Sequence, residues 1–249
     1  MAKCDVCGKR VDLPYKCPYC GGTFCSDHRL PEKHGCDGLY DIPVRVKRDI
    51  PPRRNIFEIY GYNNVILGII TVFFALSIIS DTFFELFALH PSKVYYMPWQ
   101  LITSIFMHGS FDHYLVNAIV LFFFGNELER RVGGKNYLKI FLLSGIVGNV
   151  CYILFAYATG NLTPAVGASG AIYGIMGTLA MIAPEIRVLL FFFIPLNIRT
   201  AIVLFALYNL LMTPFSIFTG VAYIAHLGGL AFGLYYGSRM KIRRRRWFY

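Results

Sequence analysis

Charge is what this sequence has least of. Among 249 residues only 14 are acidic and 24 basic, and the charged share is 15%, where a soluble domain carries about 25%. The deficit lies in long apolar runs, with 56% hydrophobic and 16% aromatic residues. An ordinary soluble domain is excluded, and a polytopic membrane protein is implied. No long apolar run carries an acid at mid-depth. That argues against a transporter with a zinc-sensing head, which would place carboxylates or broken helices there. A secretory signal peptide is not expected. Residues 1–43 are polar and cysteine-rich, and the first apolar run starts too late, so insertion falls to the first spanning helix. Beyond residue 36 cysteine is nearly missing. Cys151 alone remains, in an apolar segment, and it reads as a buried free thiol.

Six apolar segments are expected as helices: Asn64–Ser80, Tyr114–Glu127, Tyr137–Thr159, Ser169–Ala183, Ile198–Met212 and Val221–Met240. A bilayer crossing takes ~20 apolar residues. Two of the segments are short, which calls for tilt or local thinning. Leu189–Ile194 is a further apolar run and reads as the approach to the fifth helix. Basic residues favour the cytoplasmic side. They cluster before the first helix (Arg45, Lys47, Arg48, Arg53, Arg54), after the second (Arg130, Arg131, Lys135), after the fourth (Arg187, Arg199) and in the tail (Arg239, Lys241, Arg243 to Arg246). The alternate loops hold only Lys93. Six helices with both termini cytoplasmic satisfy every loop. The Arg243–Arg246 run then reads as an orientation signal that also meets anionic lipid, and no nucleic-acid partner is expected.

Six of the seven cysteines precede residue 37: Cys4-x2-Cys7, Cys17-x2-Cys20, Cys25-x2-His28 and His34-x-Cys36. Eight such ligands suit two tetrahedral zinc sites. Cytoplasmic thiols stay reduced, which disfavours a disulfide framework. The segment is also too short to fold on an apolar core alone. Zinc supplies ~10–16 kcal/mol per structural site. The spacing, with Lys16-Cys17-Pro18-Tyr19-Cys20 and Cys25-Ser26-Asp27-His28-Arg29, resembles the AN1-type zinc finger. That resemblance implies a cross-brace, one metal on Cys4, Cys7, Cys25 and His28 and the other on Cys17, Cys20, His34 and Cys36. Neither set leaves an open position, so both zinc ions are expected to be structural. A cytosolic protein partner is the expectation for the finger. Pro43, Pro51 and Pro52 mark an extended basic linker. The expected division is a finger over 1–43, a linker over 44–60, a membrane domain over 61–242 and a basic tail over 243–249.

Two polar groups stand out in the apolar half. Val166-Gly167-Ala168-Ser169-Gly170-Ala171 opens the fourth helix on a serine, and Ala225-His226-Leu227-Gly228-Gly229 puts a histidine in the sixth. An ionisable side chain in a bilayer costs roughly 2.5–3.5 kcal/mol on insertion scales, so an intramembrane histidine reads as functional. Ser169 and Tyr173 share a helix face. Gly170, Gly174 and Gly177 run beside them, and His226, Gly229, Gly233 and Gly237 form a stripe on the sixth helix. Small residues let membrane helices approach closely, which could bring Ser169 to His226. His113 and Asn117, four apart in the second helix, offer donors for a developing negative charge. The inferred topology puts all of these towards the outer leaflet.

These motifs, in this order, resemble the rhomboid intramembrane serine proteases. They are Gly167-Ala168-Ser169-Gly170 with Tyr173, His113-x3-Asn117 and Ala225-His226-x2-Gly229-x3-Gly233. Gly125-x3-Glu129-x3-Gly133, Trp99 and Met107-His108 add to them, and the resemblance spans about Asn64 to Met240. It implies an all-α six-helix membrane bundle that cleaves membrane-anchored proteins near the outer face with a Ser-His dyad and no catalytic cofactor. Ser169 would be the nucleophile and His226 the base. Asn117, His113 and the Ser169 amide would bind the oxyanion, Tyr173 would lie under the His226 ring, and Gly167 would let substrate approach. The alternative is a non-catalytic rhomboid-like protein that binds transmembrane clients. Inactive relatives lose the serine or the histidine, and this chain keeps both. The family usually has Trp-Arg in the first loop, where this chain has Trp99-Gln100, so an ion pair bracing that loop is expected to be missing. Glu129 and Arg131 are expected to brace the cytoplasmic end of the second helix. His108 is expected to be structural, His90 has no assigned role, and Phe122–Phe124 and Phe191–Phe193 are expected to face lipid or neighbouring helices.

Overall fold

The computed structural model describes residues 2–39, 55–190 and 193–240. Phe191, Phe192, the proline-containing linker up to residue 54 and the arginine run of the tail lie outside the described residues. The chain divides into two units, Met1–Pro52 and Arg53–Tyr249.

In the first unit β1 (Ala2–Lys3) pairs antiparallel with β2 (Arg10–Val11), and β3 (Tyr15–Lys16) with β4 (Thr23–Phe24). A 3₁₀ turn (Ser26–His28), α1 (Pro31–His34) and a second 3₁₀ turn (Asp37–Leu39) follow. Pro31 starts α1 and Gly35, in the left-handed region at φ 55°, ends it. The buried residues here are Cys4, Cys17, Phe24, Cys25 and Cys36. A core with one large apolar side chain cannot offset the conformational entropy of ordering such a segment.

The second unit is helical. It runs through α2 (Ile56–Tyr60), α3 (Tyr62–Ile79), α4 (Asp81–Phe87), α5 (Gln100–Thr103), α6 (Phe111–Val120), α7 (Asn126–Val132), α8 (Gly134–Thr159) and α9 (Ser169–Ile182). After a hairpin of β5 (Arg187–Leu190) and β6 (Ile194–Asn197) come α10 (Ile198–Met212), α11 (Ser216–Thr219) and α12 (Tyr223–Arg239). Among the described residues three helical stretches are long and apolar enough to cross a membrane: Tyr62–Ile79, Gly134–Thr159 and Ile198–Thr219. Their outward faces are apolar, as at Ile79, Leu154 and Leu211. α9 is shorter and lies inside, with ten of its fourteen residues buried. It packs against both α8 and α12, which also touch each other. A Cβ on Gly229 or Gly233 of α12 would overlap the carbonyl of Gly170 or Gly174 on α9, and one on Gly148 of α8 would come within 2.6 Å of the Ala225 carbonyl. Three backbones therefore meet with almost no side chain between them. Thr178 Oγ1 adds bonds to the Gly174 carbonyl at 2.9 Å and the Gly233 carbonyl at 3.1 Å.

Several details differ from the sequence reading. The segment read as Tyr114–Glu127 runs from Phe111 to Val132, and Leu121–Gly125 forms a π turn in its middle. The approach to the fifth helix, read at Leu189–Ile194, is made by the antiparallel β5–β6 hairpin, Arg187 opposite Asn197, and α10 starts directly after β6. A run of six apolar residues flanked by Pro184 and Pro195 is too short for a membrane helix. Glu129 ties the end of the Phe111–Val132 segment to the start of α3. Its two carboxylate oxygens accept the backbone N–H groups of Tyr62 and Asn63, both at 2.8 Å, and so cap α3. This satisfies two of the orphan amides at a helix start and complements its dipole. Arg131 bonds Glu127 and Glu185. Gln100 braces its loop through neutral hydrogen bonds, beside an exposed ion pair between Lys93 and Glu85 at 2.7 Å. Gln100 is fully buried; its Oε1 accepts the His90 amide at 3.1 Å, and its Nε2 donates to the carbonyls of Glu85 and Leu86 at 3.2 and 3.3 Å.

Candidate functional site

Ser169 is the first residue of α9, so its amide is one of the N–H groups that the helix leaves unbonded. His226 lies in the first turn of α12. The glycine contacts hold these two helix starts together, and Ser169 Oγ lies 2.7 Å from His226 Nε2. The Tyr173 ring, one turn along α9, stacks on the imidazole with centroids 4.7 Å apart and planes 8° from parallel. Gly167, just before Ser169, sits at φ 130°, and a Cβ there would come within 2.7 Å of the His113 ring. Conformation and space both require glycine at that position.

Ser169, His226, His113 and Asn117 line one cleft of about 1180 Å³, whose walls include Val120, Phe124, Met176 and Phe205. Asn117 is buried, and its Nδ2 donates to the His113 carbonyl at 2.7 Å, which leaves one N–H for a ligand. His108 packs edge-on against His113 at 5.0 Å and has no polar partner for its ring nitrogens. The strand-like segment before Ser169 is fixed from behind. Leu89 and Ala165 exchange two backbone bonds of 2.9 and 3.0 Å, and the Gly167 amide donates to the Ser104 carbonyl at 2.9 Å. Cys151 packs under Gly228, away from these groups. Phe122 and Phe123 are exposed, Phe123 at the edge of the cleft, and Phe124 packs inward. His90 approaches Glu85 at 3.4 Å.

In the first unit the eight Cys and His side chains gather into two groups, Cys4, Cys7, Cys25 and His28, and Cys17, Cys20, His34 and Cys36, with ligand atoms within 4.8 Å of one another. Tetrahedral zinc with bonds of about 2.3 Å to sulfur sets sulfur atoms roughly 3.8 Å apart. Cys7 and Cys25 are 3.9 Å apart, Cys17 and Cys36 3.7 Å, and Cys20 Sγ is 3.7 Å from His34 Nε2. These are edges of a coordination tetrahedron and far too long for disulfides. His34 Nδ1 donates to the His28 carbonyl at 2.9 Å, which leaves Nε2 free for a metal. Burial pushes the Cys4 thiol up, but backbone amides from Cys7, Cys25 and Val6 outweigh it and bring it to about 6. Burial and the neighbouring thiols Cys20 and Cys17 push Cys36 up to about 11. The two Cys₃His groups fit structural zinc.

Residues 95–242, more than half of the chain, match the model of the rhomboid domain. The chain belongs to the rhomboid family. Residues 4–41 match the AN1-like zinc finger. Among relatives of this rhomboid is the putative rhomboid protease YdcA of Bacillus subtilis, 42% identical over 80 residues, 32% of this chain and 38% of that protein. The mitochondrial rhomboid protein 1 of Saccharomyces cerevisiae is 29% identical over 140 residues, 55% of this chain and 40% of that protein. The rhomboid protease GluP of Bacillus subtilis is 33% identical over 106 residues, 43% of this chain and 20% of that protein. The chain thus spans less than half the length of these curated relatives.

One residue of this rhomboid escaped the sequence reading. Asn209 of α10 is fully buried, and its side chain touches His226 and Tyr173 at once. A lone asparagine in an apolar helix was the available signal, since polar side chains inside a membrane tend to mark function.

Proposed function

We propose that the chain is a serine endopeptidase of the membrane interior that cuts membrane-anchored proteins near the outer face of the bilayer. The 2.7 Å contact between Ser169 Oγ and His226 Nε2, on the wall of a largely apolar cleft, carries this reading. In it His226 takes the Ser169 proton as Oγ attacks the scissile carbonyl carbon. The carbonyl oxygen becomes an oxyanion, stabilised by the Ser169 amide, the free Asn117 N–H and His113. His226 returns the proton to the leaving amine and then activates the water that hydrolyses the acyl-enzyme. Tyr173 keeps the imidazole plane fixed. Gly167 keeps the substrate side of Ser169 open. The cleft reaches from Gly109 to Arg187 along the second and fourth helical segments, a shape that suits a transmembrane segment unwinding at the serine.

The reading includes six membrane-crossing helices with both termini in the cytoplasm, supported by the distribution of basic loops. It also includes two structural zinc ions in a cytosolic finger, held by Cys4, Cys7, Cys25 and His28 and by Cys17, Cys20, His34 and Cys36. Zinc would supply the finger's folding energy. The finger then serves to recruit a protein partner or a substrate's cytosolic tail, which raises effective concentration without touching the site. The test is fluorophosphonate labelling and cleavage of a transmembrane substrate by the purified protein in detergent, wild type against Ser169→Ala. Both activities are expected in the wild type and neither in the variant. A folded wild type that binds transmembrane clients but neither labels nor cleaves would favour the non-catalytic client-binding reading.

A further inference from the structure

His226 uses both ring nitrogens. Nε2 meets Ser169, and Nδ1 lies 2.7 Å from Asn209 Oδ1. The Asn209 amide has one consistent orientation. Its Nδ2 lies 2.7 Å from the Phe205 carbonyl and 2.9 Å from the Tyr173 hydroxyl. A carbonyl only accepts, so the NH₂ end must face Phe205 and the oxygen must face His226. Flipping the amide would set two acceptors against each other at Phe205 and two donors against each other at His226 in its Nδ1–H form. An amide oxygen also only accepts, so Nδ1 carries the hydrogen. Neutral imidazole has one N–H, and Nε2 therefore presents its lone pair to the Ser169 hydroxyl, the arrangement that a general base needs.

We infer that Asn209 is the positioning residue of this site: its carboxamide selects the His226 tautomer and, through Tyr173, fixes the ring plane, which extends the Ser-His pair to a three-membered relay. The inference rests on the serine-protease reading above. It explains why a fully buried asparagine occupies a helix that is mostly apolar beyond its first turn, where it costs insertion energy. One side chain ties down both the base and the aromatic plate it lies on, and it draws its own orientation from a backbone carbonyl that cannot rotate away. When His226 takes the serine proton, the Nδ1–H bond to Asn209 becomes charge-assisted and strengthens. The acceptor is neutral, so no second charge has to be buried beside the ring.

The test is ¹⁵N NMR of the full-length protein in detergent, with labelled histidine and His226 assigned by difference against His226→Ala. The wild type is expected to show His226 with Nδ1 protonated and Nε2 bare. Asn209→Leu, which nearly preserves volume, should lose that tautomer preference. Its kcat on a transmembrane substrate should fall about 10- to 100-fold with KM unchanged, a part of the ~10²–10⁴ that a positioned base contributes. Fluorophosphonate labelling of Ser169 should slow with it. Protonation at Nε2 in the wild type would overturn the inference. So would an Asn209→Leu protein that keeps wild-type kcat, or one that loses kcat while His226 keeps its tautomer, since that is what a packing role predicts. If Asn209→Leu does not fold, the wild-type spectrum decides alone. Cleavage that survives Ser169→Ala would instead sink the protease reading and is recognised separately.

Discussion

The two units of this chain solve the same problem by opposite means. The first has almost no apolar interior. Its buried side chains are four cysteines and Phe24, and its order depends on eight ligand atoms converging on two points. Among the described residues the second has no such centre, and its order is spread along backbones. α9, α8 and α12 approach until a single Cβ would not fit, and buried amides such as Gln100 hold the loops. Histidine shows the contrast most sharply. His34 has one nitrogen bonded to a backbone carbonyl and the other turned into a ligand cluster. His226 has one nitrogen on Asn209 and the other on a serine hydroxyl beside an open cleft. A second-position bond orients the ring in both. What the remaining nitrogen faces separates a structural role from a chemical one.

The comparison can be broken in several places. The largest effect should come from Ser169→Ala and His226→Ala, each lowering cleavage by ~10⁴-fold or more while the helical fold persists. Undiminished turnover in either purified variant would remove the chemical half of the contrast. Asn117→Ala should cost less, ~10²–10³ in kcat, since it deletes one of several oxyanion donors. Gln100→Leu should leave the chemistry intact but strand the His90 amide and the Glu85 carbonyl, while the Leu86 carbonyl keeps the Trp99 indole N–H at 2.9 Å. A destabilisation of about 1–3 kcal/mol is expected, read as a lower thermal midpoint; an unchanged midpoint would show that the loop does not depend on that side chain. The smallest effect should follow zinc chelation. Metal analysis of the untreated protein should give two zinc ions per chain, and their removal should unfold the finger while kcat on a substrate without a cytosolic tail stays the same. A large loss of kcat would mean that finger and membrane domain are coupled.

Much of this was legible in the sequence, for physical reasons. Hydropathy located Ile198–Met212 to the residue and the other long helices to within a few, because burial in lipid or protein demands continuous apolar chain. The small-residue stripes at Gly170 and Gly174 and at Gly229 and Gly233 announced close helix contacts, since only glycine permits them. The two Cys₃His groups announced themselves by spacing. What stayed hidden depends on partners distant in the chain. Nothing local to Glu129 says that it caps a helix starting at Tyr62, and nothing local to Asn209 names His226. Gln100 looked like a missing ion pair because a pattern of residue types does not reveal that an amide can reach three backbone groups. The β5–β6 hairpin was hidden because a short apolar run has no period that separates strand from helix.

The cap that Glu129 places on α3 has a consequence in time. The chain is made from its N-terminus, and α3 is complete before Glu129 has been added, 67 positions after Tyr62. During that interval the leading amides of Tyr62 and Asn63 must be satisfied by water or lipid headgroups. The start of α3 is therefore sealed by a residue delivered with the Phe111–Val132 segment, and that segment finds its neighbour partly by closing an end left open for it. A nascent chain released before residue 129 should exchange those two amides with solvent, and one released after it should protect them.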